Sequence, residues 1–262
     1  MPPLVRIEDL TVAFPLGRSL LGTPPMLKAV KNVTLDIPKG SFVGLVGESG
    51  SGKTTLGRAI LRAAPISAGR ITYDDGTNHF DIGQMTAKAE RAFRAEAQLI
   101  FQDPYAALSP RMTVRDIIAE PLEVLGLTHS RAETDARVRD IAAKCRINLE
   151  HLRRYPHAFS GGQRQRISIA RTLAAGPKFV VADECVAALD VSIQADILNL
   201  LKQLQRDLDL TFLFISHDLS VVAHVCDYLA EMYQGEIVEE GPTRAILANK
   251  QHAYTRTQLA AK

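Results

Sequence analysis

Nine consecutive residues, Gly47-Glu48-Ser49-Gly50-Ser51-Gly52-Lys53-Thr54-Thr55, contain the full pattern G-x-x-x-x-G-K-[ST]. Glycines at these spacings let successive backbone N–H groups turn inward around phosphate oxygens. The lysine can then reach β/γ oxygens, and the Thr54 hydroxyl can ligate Mg²⁺. The stretch follows "SFVGLVG", a continuous apolar run, and leads into "KTTLGRAILRAA". A buried strand therefore feeds a glycine loop and then a helix start, whose dipole favours anions. The match in that context favours nucleotide binding over a plain strand–turn–helix.

Two further strand-like runs end on groups suited to the same chemistry. "KFVVAD" runs into Asp183 and Glu184, and "TFLFIS" into Ser216, His217 and Asp218. In an open α/β sheet, ligands collect at the carboxyl ends of strands. An aspartate there suits Mg²⁺ held through water, the adjacent glutamate can polarise an attacking water, and His217 can hydrogen-bond a γ-phosphate or hold the water in line. Taken singly, a strand-end Asp-Glu also reads as a helix cap and His217 as a structural histidine. Gln102, in "LIFQDP", follows another short apolar run, 97–101. It reads either as a sensor of Mg²⁺ or water, or as a turn residue before Asp-Pro.

A second glycine cradle appears at 159–166, "FSGGQRQR". Ser160 stands where an N-cap belongs, ahead of a helix whose apolar face carries Ile167, Ile169, Ala170 and Leu173. The amides of Gly161, Gly162 and Gln163 then point out of the helix start and form an anion site. A ligand held by Lys53 does not easily reach Ser160 of the same chain. The expectation is two chains packed head to tail, each nucleotide clamped between one glycine loop and the partner's SGGQ. An ordinary capped helix with a tight Gly-Gly entry is the simpler alternative.

These groups need a scaffold, and the chain spells out an α/β one. Residues 4–14 and 30–37 alternate apolar and polar, as half-buried antiparallel strands do. A Pro/Gly-rich loop, 15–26, joins them, and 69–76 with 78–83 reads as a hairpin turning at Asp75-Gly76. Helical spacing dominates 113–127, 130–145 and 161–175, with proline-containing breaks. Strand and helix then alternate again: 178–183, 191–208, 211–216, a short helix from Asp218, and a closing hairpin, 228–241, turning at Gln234-Gly235. The pattern implies an α/β class with a mostly parallel P-loop NTPase core, an antiparallel N-terminal β subdomain and an inserted helical subdomain. We expect one nucleotide-binding domain over 1–262, its core at 1–104 and 176–262 and its helical part at 105–175.

Composition narrows the class. A net charge of +2 gives no electrostatic reason to expect nucleic acid. No apolar run approaches the roughly 18 residues needed to span a bilayer, and "MPPLVRIEDL" lacks a signal peptide's basic start and apolar stretch. Cys145, Cys185 and Cys226 are odd in number and far apart, so buried thiols are expected rather than disulfides or a metal site.

Together these residues resemble the ATP-binding subunit of an ABC transporter. "GESGSGKTT" is similar to the Walker A motif, "FVVADE" to Walker B with its catalytic glutamate, and "FSGGQ" to the ABC signature. Gln102 falls at the Q-loop glutamine, "AALD" at 187–190 at the D-loop, and His217 at the switch histidine. The resemblance covers nearly the whole chain. It implies ATP and Mg²⁺ as cofactors, with Lys53 and the amides of residues 47–55 on the phosphates. It also implies Thr54, Gln102 and Asp183 on Mg²⁺, Glu184 as general base or water-positioning residue, and His217 stabilising the transition state. Ser160, Gly162 and Gln163 would reach the partner's γ-phosphate, Asp190 would link the two sites, and Phe14 would stack on adenine or belong to the core.

A narrower resemblance, to the dipeptide, oligopeptide and nickel importer branch, rests on "IFQDPYAALSPRMTVRDIIAEPL", "RYPHAFSGGQRQRISIARTLA", "ALDVSIQADILNLLKQLQ" and "HAYTR". It implies peripheral association with the cytoplasmic face of the inner membrane. The implied partners are a second ATP-binding subunit (a copy or a relative), two membrane permeases, an external solute-binding protein, and no nucleic acid. The helical part would receive a permease coupling helix, with Tyr105, Leu108 and Met112 as apolar contacts or core. The alternative is a soluble ABC-type ATPase in an enzyme complex such as carbon–phosphorus lyase. The chain departs from the pattern at Cys185 and Ala253, both positions where proline is usual, and it ends at Lys262 without the cysteine-containing extension of many relatives, so no cluster is expected there.

Overall fold

A computed structural model describes residues 2–17 and 24–248. Part of the Pro/Gly loop and the whole of "HAYTR" lie outside the described residues. In chain order the first elements are β1 (Pro3–Pro15), β2 (Met26–Pro38), β3 (Phe42–Val46), α1 (Lys53–Ile60), β4 (Ala68–Asp74), β5 (His79–Asp81) and α2 (Ala87–Glu96). Then come β6 (Ala97–Ile100), α3 (Pro104–Ala107), α4 (Val114–Leu125), α5 (Arg131–Lys144), two 3₁₀ turns (Leu149–Arg153 and Pro156–Ala158) and α6 (Gly161–Ala174). The chain continues with β7 (Phe179–Asp183), α7 (Val191–Leu208), β8 (Thr211–Ile215), α8 (Leu219–Val225), β9 (Tyr228–Tyr233), β10 (Glu236–Pro242) and α9 (Thr243–Ala248). Two compact units form, one from the chain up to Ala89 and from Thr211 onward, the other from Glu90 to Leu210.

The first unit holds two sheets. One is antiparallel, in the order β2-β1-β4-β5. The alternation read in β1 and β2 is its cause: Val5, Ile7 and Leu10 of β1 and Val33, Leu35 and Ile37 of β2 are all buried. In the other sheet β3 runs parallel to both β8 and β9, and β10 returns antiparallel to β9. Every residue of β3 and β8 is buried, as their continuous apolar runs require. Phe42 stacks on Phe212 with ring centroids 4.7 Å apart. The β9–β10 turn falls at Gln234-Gly235, both at positive φ (48° and 92°), the handedness that a two-residue hairpin demands. The β4–β5 turn is longer than the expected Asp75-Gly76 pair: Asp74 faces His79, and Asp75 Oδ1 accepts from the amides of Thr77 and Asn78.

In the second unit β6 pairs parallel to β7, and α6 meets β6 where Thr172 Oγ1 donates to the Leu99 carbonyl (3.1 Å). The stretch 113–127 forms one helix, α4, despite Pro121 inside it, capped by Thr113 at its start and by Gly126 in the left-handed conformation at its end. Glu120 of α4 takes Arg171 of α6 at 2.8 Å, and Arg115 of α4 takes Asp135 of α5 at 2.7 Å. Helices α2 and α9 had no sequence expectation. Among the described residues no helix is long and apolar enough to cross a membrane.

All three cysteines are free and buried. Burial pushes the Cys145 and Cys185 thiols from 9.0 up to about 12. The folded chain thus holds them neutral where the unfolded chain ionises. This contribution is complete below pH 9.0 and is lost as pH rises towards about 12. The urea midpoint should fall from pH 9 upward, and the fall should be shallower in a Cys145→Ala/Cys185→Ala chain. An equal slope in both chains would remove the thiols as its cause.

Candidate nucleotide-binding and hydrolysis site

In the first unit, β3 delivers the chain to Gly47 and α1 begins at Lys53. Lys53 is 4% exposed, and its Nζ donates to the carbonyls of Gly47 (2.8 Å) and Glu48 (2.6 Å) and to Ser51 Oγ (3.4 Å). The loop is wrapped around its own lysine, and an anion reaching it would compete with those carbonyls for the ammonium. Gly52, the N-cap of α1, offers no side-chain acceptor, and the first turn holds no acid. No acidic residue of the helix itself offsets its positive end, which favours an anion there. The β9–β10 turn braces the loop, since Gly235 N donates to Ser51 O (2.9 Å) and Gly235 O accepts from Lys31 N (2.8 Å). At Gly47, φ is +148° and a Cβ would lie 2.1 Å from the Met232 carbonyl oxygen, so only glycine fits. Glu48, Ser49 and Gly50 form the exposed rim, and Thr54 and Thr55 are half-buried in the first turn of α1.

The same unit carries His217 and Phe14. His217 is exposed between β8 and α8, on a turn fixed by the Asp218 amide donating to Ser216 Oγ (3.0 Å) and by Asp218 Oδ1 accepting from Ser220 N (2.8 Å). Phe14 is half-buried near the end of β1, opposite Leu27 of β2. Leu16, Met26 and Leu27 beside it are about half exposed, which gives this hairpin end an apolar face suited to a flat ring.

In the second unit, β7 is buried throughout and ends on Asp183, itself buried. Glu184 follows at φ +46°, in the left-handed region that non-glycine residues seldom occupy. Its carbonyl accepts from Ala187 N (3.1 Å), closing a turn. Gln102, just after β6, donates its amide Nε2 to Glu184 Oε2 at 3.1 Å. The structure thus brings Gln102 onto Glu184, a contact that sequence reasoning did not foresee because 82 positions separate the two. Asp103 caps α3 by accepting from Tyr105 N at 2.7 Å. Leu108 is core, Met112 is half-buried, and Tyr105 is 63% exposed. Asp190 is the exposed N-cap residue of α7, with no side-chain bond into that helix.

Ser160 caps α6 through a reciprocal box: Ser160 Oγ accepts from Gln163 N (3.4 Å), and Gln163 Oε1 accepts from Ser160 N (3.0 Å). The amides of Gly161 and Gly162 are left at the helix start without intrahelical acceptors. The serine proton and the Gln163 amide hydrogens remain available for donation. The second cradle is thus a pre-formed helix start.

A family model described as ABC transporter matches residues 30–187. The oligopeptide transport ATP-binding protein OppF of Streptococcus mutans is 47% identical over 98% of this chain and 81% of its own length. The glutathione import ATP-binding protein GsiA of Escherichia coli (strain K12) is 48% identical over 99% of this chain, which spans 41% of GsiA. Among solved structures, the dimeric post-hydrolysis ATP-binding cassette MJ0796 with ADP and Pi matches with a TM-score of 0.78. That match is 26% identical and covers 92% of this chain and 99% of the cassette. With its glycine loop at the head of α1, its strand-end carboxylates and its capped SGGQ helix, the chain belongs to the ABC transporter family.

Proposed function

We propose that the chain is the ATP-hydrolysing subunit of an importer for peptides or a related small solute, acting as a head-to-tail dimer of nucleotide-binding domains. The observation that carries this reading is likeness along 98–99% of the chain to ATP-binding proteins named for oligopeptide transport and glutathione import. It favours import over a soluble enzyme complex. Partners are a second ATP-binding subunit and two permeases at the cytoplasmic face of the membrane, with an external solute-binding protein acting through them.

Residues 47–55 hold the ATP phosphates through backbone amides and Lys53, and Phe14 stacks on adenine. Thr54, Gln102 and Asp183 supply hard oxygen donors for Mg²⁺. Among the described residues no three His, Cys, Asp or Glu side chains cluster as a metal cage. That fits an ion that keeps water and substrate phosphate among its ligands. Bound Mg²⁺ supplies charge neutralisation at the β/γ oxygens. Glu184 takes the proton of the attacking water or aligns it, and His217 donates to the γ-phosphate. Ser160, Gly161, Gly162 and Gln163 receive the γ-phosphate held by the partner, and Asp190 links the two sites.

Two experiments test this. Ser160→Arg puts a long cation at the helix start that must admit a phosphate from a second chain. ATP affinity of the monomer should stay within about 2-fold, while the ATP-dependent dimer of a Glu184→Gln chain should disappear on size exclusion with light scattering. Unchanged dimerisation would end the head-to-tail role of this cradle. Separately, tagged Glu184→Gln chain isolated with ATP from solubilised membranes of its host should bring two permeases and a sister ATPase. Recovery of soluble enzymes alone would move the chain to the enzyme-complex reading.

A further inference from the structure

A run of contacts in the second unit joins the signature helix to Glu184. Arg164, the first residue of α6 whose amide closes back on Ser160 O (2.9 Å), sends its side chain in two directions. Its Nε and Nη2 donate to the carbonyls of Pro156 (2.8 Å) and His157 (3.2 Å), in the 3₁₀ turn just before the cradle. Its guanidinium lies over the Tyr105 ring, 4.1 Å from the centroid. Tyr105 belongs to α3, a helix of only four residues with little stability of its own. With 63% of Tyr105 exposed, core burial does little to hold this ring; the guanidinium and the Asp103 cap set its place. Gln102 immediately precedes that cap, so where α3 sits decides where the Gln102 amide points, and it points at Glu184 Oε2.

We infer that Arg164 is a positioning residue: through Tyr105 and the α3 turn it holds the Gln102 amide on Glu184. A displacement of the Ser160–Gly162 helix start is thereby passed to the carboxylate of the same chain. This rests on the proposed roles of Glu184 and of the signature. In a head-to-tail dimer the signature serves the partner's ATP while Glu184 serves the chain's own, so this contact run lets one ATP report to the other site. The cation–π link is the step that can be cut without touching either cradle, because Phe keeps the ring face and Leu removes it.

The test is steady-state ATP hydrolysis by the full chain, with far-UV circular dichroism and melting to verify folding. Tyr105→Leu should lower kcat by about 3-fold, the size expected when an exposed cation–π contact is lost, and leave KM for ATP within about 2-fold. Tyr105→Phe should hold kcat at the unmutated level. In a Gln102→Ala background Tyr105→Leu should cause no further fall, since the link acts only through Gln102. Unchanged kcat in Tyr105→Leu overturns the inference, as does an equal loss in Tyr105→Phe or a loss that multiplies with that of Gln102→Ala. Glu184→Gln run alongside separates the two failures. If it abolishes turnover while Tyr105→Leu does nothing, only the link falls; if it keeps turnover, the role of Glu184 falls first.

Discussion

Glu184→Gln should leave ATP binding intact and lower turnover by on the order of 10²- to 10⁴-fold, the range a positioned general base contributes. The substitution is isosteric. A glutamine carbonyl can still accept from the Gln102 amide, which now meets Glu184 Oε2 at 3.1 Å, so the turn keeps its tie. The left-handed backbone at residue 184 costs either side chain about the same, and the Ala187 N–Glu184 O bond belongs to the main chain. What disappears is the charge and the ability to take a proton. In the proposed mechanism binding rests on the loop around Lys53 and the α1 start, and the substitution leaves the residues of both unchanged. Equilibrium titration with a fluorescent ATP analogue and phosphate release under saturating ATP read the two effects separately. Turnover matching that of the unmutated chain would take Glu184 out of the mechanism. A large loss of affinity would instead mean that the carboxylate supports the fold of the site.

How much of this was legible in the sequence follows from where the deciding contacts lie along the chain. The glycine cradle was legible because its parts are contiguous: strand, loop and helix start are read in order, and β3 and α1 form around Gly47–Gly52 as expected. α7 was legible to both ends, its repeat of buried Ile197, Leu201 and Leu204 closed off by Asp190 and by Asp209 at positive φ. α2 was not, because Phe93 is its only buried residue and one apolar side chain makes no period. α9 spans six residues, too few for a pattern. In the site, types and places were legible but pairings were not. Gln102 and Glu184 could be named as polar groups after strands, yet that one donates to the other depends on two parallel strands lying side by side. Arg164 carries no reading in the sequence beyond its place in "FSGGQRQR", and its partner Tyr105 lies in a different helix. Leu108, an apolar residue after the Gln102 loop, looked as suited to a partner as to the core, and only the fold decides for the core.

Gly47→Ala should abolish ATP binding and destabilise the chain by about 2–6 kcal/mol, combining about 1–3 for a left-handed backbone with about 1–3 for overpacking. The added Cβ would lie 2.1 Å from the Met232 carbonyl oxygen and 2.8 Å from Ser51 Oγ. The carbonyl is main chain in β9, where Val46 stands in register with Glu231, so relief means parting β9 from β3. The loop cannot retreat the other way without losing the Gly47 carbonyl that Lys53 grips at 2.8 Å. The paired variant Gly50→Ala isolates the backbone contribution. Gly50 has φ +82° with nothing within 4 Å of a built Cβ, so only conformational strain applies. Gly50→Ala should therefore fold with a loss of about 1–3 kcal/mol and weaken ATP binding without abolishing it. Urea unfolding and ATP titration of both variants decide the matter. Equal losses would mean that the loop's requirement for glycine is conformational throughout, whereas a much larger loss at Gly47 locates it in the contact between the phosphate loop and β9.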